Sequence, residues 1–268
     1  MRSEARQLDQ FYTDPALAAM LWREVAAYLG SRRGWSFLEP SAGKGAFLMA
    51  MPPGTLGLDL DPAHPAVRQG DFLTFTPAPG RWAVIGNPPF GKNASLAVRF
   101  FNHAARFAQL IAFIVPRTFE KASVQHRLDL AFHLVASHAV PEEAFEFEGQ
   151  PIHVPCVFQI WERRTVPRAK HVLPTTHADF TYVARDLADF AFQRVGVKAG
   201  AIKPIGPDAR GLAAPSHHFI RVTDRTQVAQ VRARFEALDW AAVKHRTAGN
   251  PSIAKTEIVQ AYKAITDA

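Results

Sequence analysis

The 268-residue sequence predicts an α/β fold, a doubly wound and mostly parallel sheet with helices on both faces, followed by a smaller basic α+β domain. Three observations carry this expectation. Short apolar runs alternate with helical patterns over residues 16–161. A glycine bend, Gly43-Lys44-Gly45, stands between the first apolar run and a helix. Acidic residues, Glu39 and Asp59, close the first two runs, where sheets of this kind bind their ligands. Hydrophobic residues make up 48% of the chain and charged ones 21%, the balance of a globular protein with enough chain for one large domain or a domain plus a smaller one.

The elements follow in order. A helical pattern covers residues 16–29, with Leu17, Met20, Leu21, Val25 and Leu29 along one side. Thr13 or Asp14 is placed to cap it, and Pro15 suits its first turn. Trp35 to Leu38 reads as a strand, the Glu39–Gly45 bend follows, and a helix begins at Ala46. Lys44 does not make this a triphosphate loop, because Ala46 stands where the spacing asks for Ser or Thr. Thr55 to Asp59 is the second strand. Asp59 at its end is placed to accept two ribose hydroxyls, while Asp61 reads as the cap of the Pro62 turn.

Trp82 to Ile85 is a strand that stops at Gly86-Asn87-Pro88-Pro89-Phe90, since two prolines neither extend a ladder nor enter a helix interior. Such a corner is stiff. The Asn87 side-chain oxygen and the Pro88 carbonyl can accept the two N–H bonds of an exocyclic amine, and the Phe90 ring can stack on the base. A strand-terminating turn in an unrelated α/β protein is the bland reading of the same residues. A helix over 94–107, a strand over 110–115, a helix over 121–130, and strands over 132–140 and 154–161 complete the first domain.

Asn-Pro-Pro-Phe after an apolar strand, preceded in order by the glycine bend and the two acids, resembles the S-adenosylmethionine-dependent amino-methyltransferases, and among them the adenine-N6 DNA enzymes. The resemblance covers residues 10–162. It implies a seven-stranded Rossmann-like sheet, S-adenosylmethionine as cofactor, no metal, and Asn87, Pro88, Pro89 and Phe90 as the catalytic set. By the same resemblance Tyr12 and Thr13 line the methionine end of the cofactor, although a plain helix cap explains them equally well. Glu39, Pro40, Ala42, Gly43 and Gly45 form the cofactor bend, Asp59 takes the ribose, and Asp71 and Phe72 take the adenine. An aromatic of the 145–149 loop, Phe145 or Phe147, packs against the extruded base, and Arg117 meets a phosphate. A surface ion pair is the competing account of Arg117.

Net charge is +7 and unevenly distributed. Residues 1–162 hold 14 Lys+Arg against 15 Asp+Glu, and residues 163–268 hold 17 against 9. The sequence therefore divides into a catalytic domain, 1–162, and a target-recognition domain, 163–268, carrying the excess charge. Arg194, Lys198, Lys203, Arg210, Lys244, Arg246 and Lys255 are its candidate backbone contacts. Residues 179–195 read as a helix or a strand–helix mix, 219–222 as a strand, 226–238 as a helix and 253–265 as a last helix capped by Ser252. His217-His218 lacks a third metal ligand at matching spacing.

Cys156 is the only cysteine, which excludes an intrachain disulfide and a cysteine-rich metal site. No apolar run reaches spanning length, and the first residues are polar, so a cytoplasmic, monomeric protein without membrane contact is expected. The expected reaction is methylation of adenine N6 in DNA. Methylation of an adenine or guanine amino group in ribosomal or transfer RNA uses the same corner, as does methylation of a glutamine side chain, which the basic tail argues against. A non-catalytic nucleic-acid-binding protein on the same scaffold is the reading from a different class.

Overall fold

The computed structural model describes residues 12–141, 145–147, 150–152, 154–170, 172–206, 212–244 and 250–267. The chain forms two compact units, residues 1–170 and 171–268. In the first, the elements run β1 (Tyr12–Thr13), α1 (Pro15–Leu29), β2 (Trp35–Glu39), α2 (Ala46–Ala50), β3 (Leu56–Asp59), β4 (Arg68–Gln69) and β5 (Arg81–Gly86). They continue as α3 (Ser95–Ala104), β6 (Ala108–Pro116), α4 (Ala122–Gln125), β7 (Phe132–Ala139), β8 (Phe145–Phe147), β9 (Gln150–Ile152) and β10 (Cys156–Arg163).

Seven of these strands form one mixed, Rossmann-like sheet in the order β4-β3-β2-β5-β6-β10-β7. The run from β4 to β6 is parallel, and β10 lies antiparallel between β6 and β7. From β2 the chain builds outward through β3 and β4, then returns to place β5 on the other side of β2. That reversal is a topological switch point, and it opens a crevice at the carboxyl ends of β2 and β5. The central strand β6 is buried at every position but Gln109, the near-continuous apolar run expected of a strand covered on both faces. A separate three-stranded sheet joins β1, β8 and β9.

Local chemistry sets the boundaries. Asp14 caps α1 by accepting the Leu17 N–H at 2.9 Å, with Pro15 in the first turn. Leu17, Ala18, Leu21, Val25 and Leu29 form its buried stripe, each large side chain contributing about 1.5–3 kcal/mol. Met20, expected on that side, is exposed. The seventh sheet strand is β4, two residues at the edge that carry no periodicity. The helix expected over 121–130 shrinks to α4, because distant side chains take the carbonyls it would need. Arg168 donates to the Gln125 and Leu128 carbonyls, and Asn102 donates to the Arg127 carbonyl.

Those bonds also move the domain boundary. Arg168 Nε donates to the Phe132 carbonyl at 2.9 Å. Arg163 Nε donates to the Ala108 carbonyl at 3.0 Å, and its guanidinium lies 4.8 Å from the Phe132 ring centroid. Residues 163–170 therefore belong to the first unit, with four of the basic residues counted above in the second. The first unit then holds 18 Lys+Arg against 15 Asp+Glu, the second 13 against 9. Net charges of +3 and +4 replace the expected −1 and +8, so the sharp charge division disappears.

Among the described residues the second unit is a four-stranded antiparallel sheet, in the order β11-β14-β12-β13, with three α-helices. Its elements are β11 (Phe180–Tyr182), β12 (Phe190–Gln193), β13 (Ile202–Pro204), β14 (His217–Val222), α5 (Val228–Ala237), α6 (Trp240–Lys244) and α7 (Lys255–Thr266). Phe235 of α5 centres the core, its ring 5.1 Å from Phe180 and Tyr262 and 5.3 Å from Phe190. Residues 179–195 form two strands with a single 3-10 turn, Arg185–Leu187, between them, the strand–helix mix rather than one helix. Phe190 and Phe192 join the cluster that contains Phe235, while Ala191 joins a different one with Phe219 and Leu212. That alternation is the two-residue period of a strand. Ala254 rather than Ser252 begins the last helix, its N–H donating to the Glu257 carboxylate at 2.8 Å, while Ser252 bridges to Val195. Among the described residues no helix is long and apolar enough to cross a membrane.

Replacing Arg168 by Met removes donors from half-buried carbonyls and should destabilise the first unit by about 2 kcal/mol. Urea denaturation followed by tryptophan fluorescence measures this, and an unchanged midpoint would contradict the role given to Arg168.

Candidate active site

The Glu39–Gly45 bend crosses the carboxyl end of β2 with positive φ at Gly43 (+46°) and Gly45 (+81°). Gly43 N–H donates to Asp59 Oδ2 at 2.7 Å, and Ala42 N–H donates to the Leu58 carbonyl at 2.8 Å. The bend is thereby tied to the end of β3. A Cβ on Gly43 would lie 2.9 Å from Tyr12 Cε1, so the aromatic ring closes onto bare backbone. Any Cβ there would force the Tyr12 ring to shift, at a backbone φ that side chains rarely adopt.

Glu39 is 3% exposed and lines the same cleft. Helix α2 starts at Gly45, which offers no capping side chain. Glu39 supplies it from the preceding strand, with Oε2 accepting the Leu48 N–H at 2.6 Å. Burial pushes the Glu39 carboxyl well above the ordinary carboxylate range, and the nearby Asp59 charge adds to the effect. The helix N–H bonds oppose the shift without cancelling it.

Asp59 Oδ1 accepts the Asp61 N–H at 2.9 Å, so both oxygens of this strand-end acid are oriented by backbone. Asp71 caps a single turn over Phe72–Thr74 through the Leu73 N–H at 2.9 Å. The Phe72 ring is 1% exposed and lies 5.1 Å from Phe100 of α3. Phe72 and Phe100 thus give one end of the cleft an apolar wall beside two carboxylates.

The Asn87 corner forms at the end of β5. Gly86 brings β5 against the bend, because a Cβ there would sit 3.3 Å from Glu39 Cγ and Pro40 Cδ. Ser41 Oγ donates to the Asn87 main-chain carbonyl at 2.9 Å. Asn87 Nδ2 donates to Thr13 Oγ1 at 3.2 Å, which sets the amide's orientation. Three segments distant in sequence therefore meet at Asn87. Phe90 packs beside the corner. Its ring is 8% exposed within the core, and its carbonyl accepts the Leu96 and Ala97 N–H groups at the start of α3. Phe90 thereby anchors the corner to α3. The chain turns away through positive φ at Gly91, Asn93 and Ala94.

The cleft is open to solvent, and the space of about 860 Å³ that it encloses includes part of that solvent. Of the sequence candidates, Tyr12, Thr13, Glu39, Pro40, Ala42, Gly43, Asp59, Asp71, Phe72, Asn87 and Pro89 line it, whereas Gly45, Pro88 and Phe90 do not. Ser41, Lys44, Asp61 and Phe100 line it too and were not among the candidates. Ser41 and Lys44 lay inside the motif, and Phe100 lay within the helix expected over 94–107. Arg117 follows β6, beside β5 in the sheet, with its N–H on the Pro155 carbonyl at 3.1 Å, and does not line the cleft. Thr13 pairs with Phe145, which is buried; Phe147 ends β8, and its side chain lies outside the described part. In the second unit Arg194 Nη1 donates to the Pro215 carbonyl at 2.9 Å. Lys203 Nζ lies 3.1 Å from His217 Nε2, and Lys198 is exposed. Arg210 and Arg246 lie outside the described residues.

No family model and no curated sequence matches the chain. Among solved structures, a protein from Pyrococcus horikoshii proposed as an RNA methyltransferase aligns over 58% of this chain and 87% of its own, at 17% identity and a TM-score of 0.45. The 23S rRNA methyltransferase ErmE aligns over 59% of this chain and 71% of its own, at 18% identity and a TM-score of 0.41. The modification subunit of a proposed type I restriction enzyme from Vibrio vulnificus aligns over 97% of this chain and 62% of its own, at 12% identity and a TM-score of 0.44. At such identity and overlap the likenesses do not extend to activity.

The raised Glu39 pKa makes stability depend on pH. The folded chain holds this proton more tightly than the unfolded one, so the stabilisation is complete below the ordinary 4.5 and is lost as pH rises through the folded value. Glu39→Gln keeps an acceptor for the Leu48 N–H and removes the titration. Urea midpoints from pH 4 to 8 should decline for the wild type relative to the variant. Parallel curves would mean that Glu39 does not titrate on folding.

Proposed function

We propose that the chain is an S-adenosylmethionine-dependent methyltransferase acting on an exocyclic amino nitrogen of a nucleic-acid base, adenine N6 in DNA. One observation carries the reading. The glycine bend after β2 and the Asn87 corner after β5 lie on adjacent strands, joined by the Ser41–Asn87 hydrogen bond, and open into one cleft.

The lining suits the cofactor. The strand-end carboxylate of Asp59 fits a ribose diol. Phe72 and Phe100 fit a purine face, with Asp71 beside them as an acceptor for its amine. The bare backbone at Gly43 lets the Tyr12 ring close over the bend, where it borders the same cleft. When bound, S-adenosylmethionine supplies a methyl group activated by its sulfonium.

The chain's residues then have separable duties. An arylamine nitrogen is a weak nucleophile because its lone pair is delocalised into the ring. The Asn87 side-chain oxygen and the Pro88 carbonyl accept its two N–H bonds and stabilise the positive charge that grows as the nitrogen attacks. Thr13, through its bond with Asn87 Nδ2, holds the amide in register. Pro88 and Pro89 keep the acceptors stiff, and the buried Phe90 locks the corner to α3. The nitrogen proton becomes acidic only as the new bond forms, and water can take it. On a duplex the base must leave the stack, at a cost of a few kcal/mol.

The near-even charge of the two units lets both contact a polyanion. Division of the chain into a catalytic unit and a recognition unit remains part of this proposal, with Arg117 on the first unit and Arg194, Lys198 and Lys203 on the second as candidate phosphate contacts.

Labelled cofactor offered to DNA and RNA pools, followed by nucleoside mass spectrometry, should yield N6-methyl-2′-deoxyadenosine from DNA. Label in RNA alone would move the acceptor and keep the chemistry. Asn87→Ala should reduce transfer at least 100-fold, an order-of-magnitude figure for lost charge stabilisation, with cofactor affinity within about twofold. Equal activity in that variant would refute the assignment.

A further inference from the structure

Lys44 was set aside as a triphosphate ligand, and nothing in the methyl-transfer chemistry uses it. It is nonetheless the only cationic side chain among the described residues lining the cleft. Asp59, Asp61 and Asp71 line the cleft as well, along with Glu39. Lys44 Nζ stands 4.5 Å from the centroid of the Tyr12 ring, the same ring that closes onto Gly43. Thr13, next in sequence to Tyr12, is bonded to Asn87. The ammonium therefore belongs to the end of the cleft where Tyr12, the glycine bend and the Asn87 corner meet.

A ligand made of an adenosine and an amino-acid end joined through a sulfonium carries two positive groups and one negative group. The carboxylates of the cleft suit its hydroxyls and its cationic groups. Only its carboxylate calls for a cation. We infer that Lys44 binds the α-carboxylate of the cofactor's amino-acid end and makes the cleft selective for ligands that carry one. This rests on the cofactor reading above and deepens it. A charge-assisted bond to a carboxylate is stronger than the contact of an ammonium with an aromatic face. The backbone fits this use. Lys44 sits between two positive-φ glycines whose bend is tied to Asp59, so its stem projects from a fixed point. The side chain is exposed and leaves no buried hole when shortened.

Calorimetric titration of the full chain with S-adenosylhomocysteine, and with its decarboxylated analogue that keeps the amine, separates the possibilities. Lys44→Gln should weaken S-adenosylhomocysteine about tenfold and change the decarboxylated analogue by less than about twofold. Lys44→Arg, which keeps the charge, should retain most of the affinity. Equal losses for both ligands, or no loss for either, overturn the inference and leave the cofactor reading intact. A wild-type chain that binds neither ligand overturns the cofactor reading and the inference with it.

Discussion

The hydrogen bond from Ser41 Oγ to the Asn87 carbonyl is the constraint on which the site depends. It spans two loops 46 positions apart in sequence, yet it is short because β2 and β5 are neighbours in the sheet. They are neighbours because the chain reverses its direction of strand addition after β4. The crevice at that reversal is a property of the topology, present whatever residues line it. The residues then decide its chemistry. Gly86 lets the two strand ends approach, and Gly43 admits the Tyr12 ring.

The same region shows how one buried acid serves structure and site together. Glu39 closes β2, caps α2 and lines the cleft. Burial disfavours its ionised form, while the helix N–H groups favour it. Burial prevails, and cationic groups of a bound ligand would shift the balance toward ionisation.

What the sequence made legible were features with strict local requirements. A strand ending in two prolines, a bend needing positive φ and acids at strand ends are each specified within a few residues, and the structure gathers most of them into one cleft. What escaped depends on distant partners. Arg168 takes the carbonyls that a helix over 121–130 would need, and no window around residue 125 contains that information. β4 is too short to show a period. In β12, burial toward two different clusters hid the alternation. The charge contrast between the two parts of the chain was an artefact of the boundary. Arg163 and Arg168 are positive in the sequence, but in the fold they fasten the last segment of the first unit.

A crystal structure of the chain soaked with S-adenosylhomocysteine tests the central claim most directly. The account predicts ribose hydroxyls on the Asp59 carboxylate, the purine against Phe72 and Phe100, and the thioether sulfur facing Asn87 across the cleft. A ligand bound elsewhere, or one in the cleft with its sulfur turned away from Asn87, would contradict it.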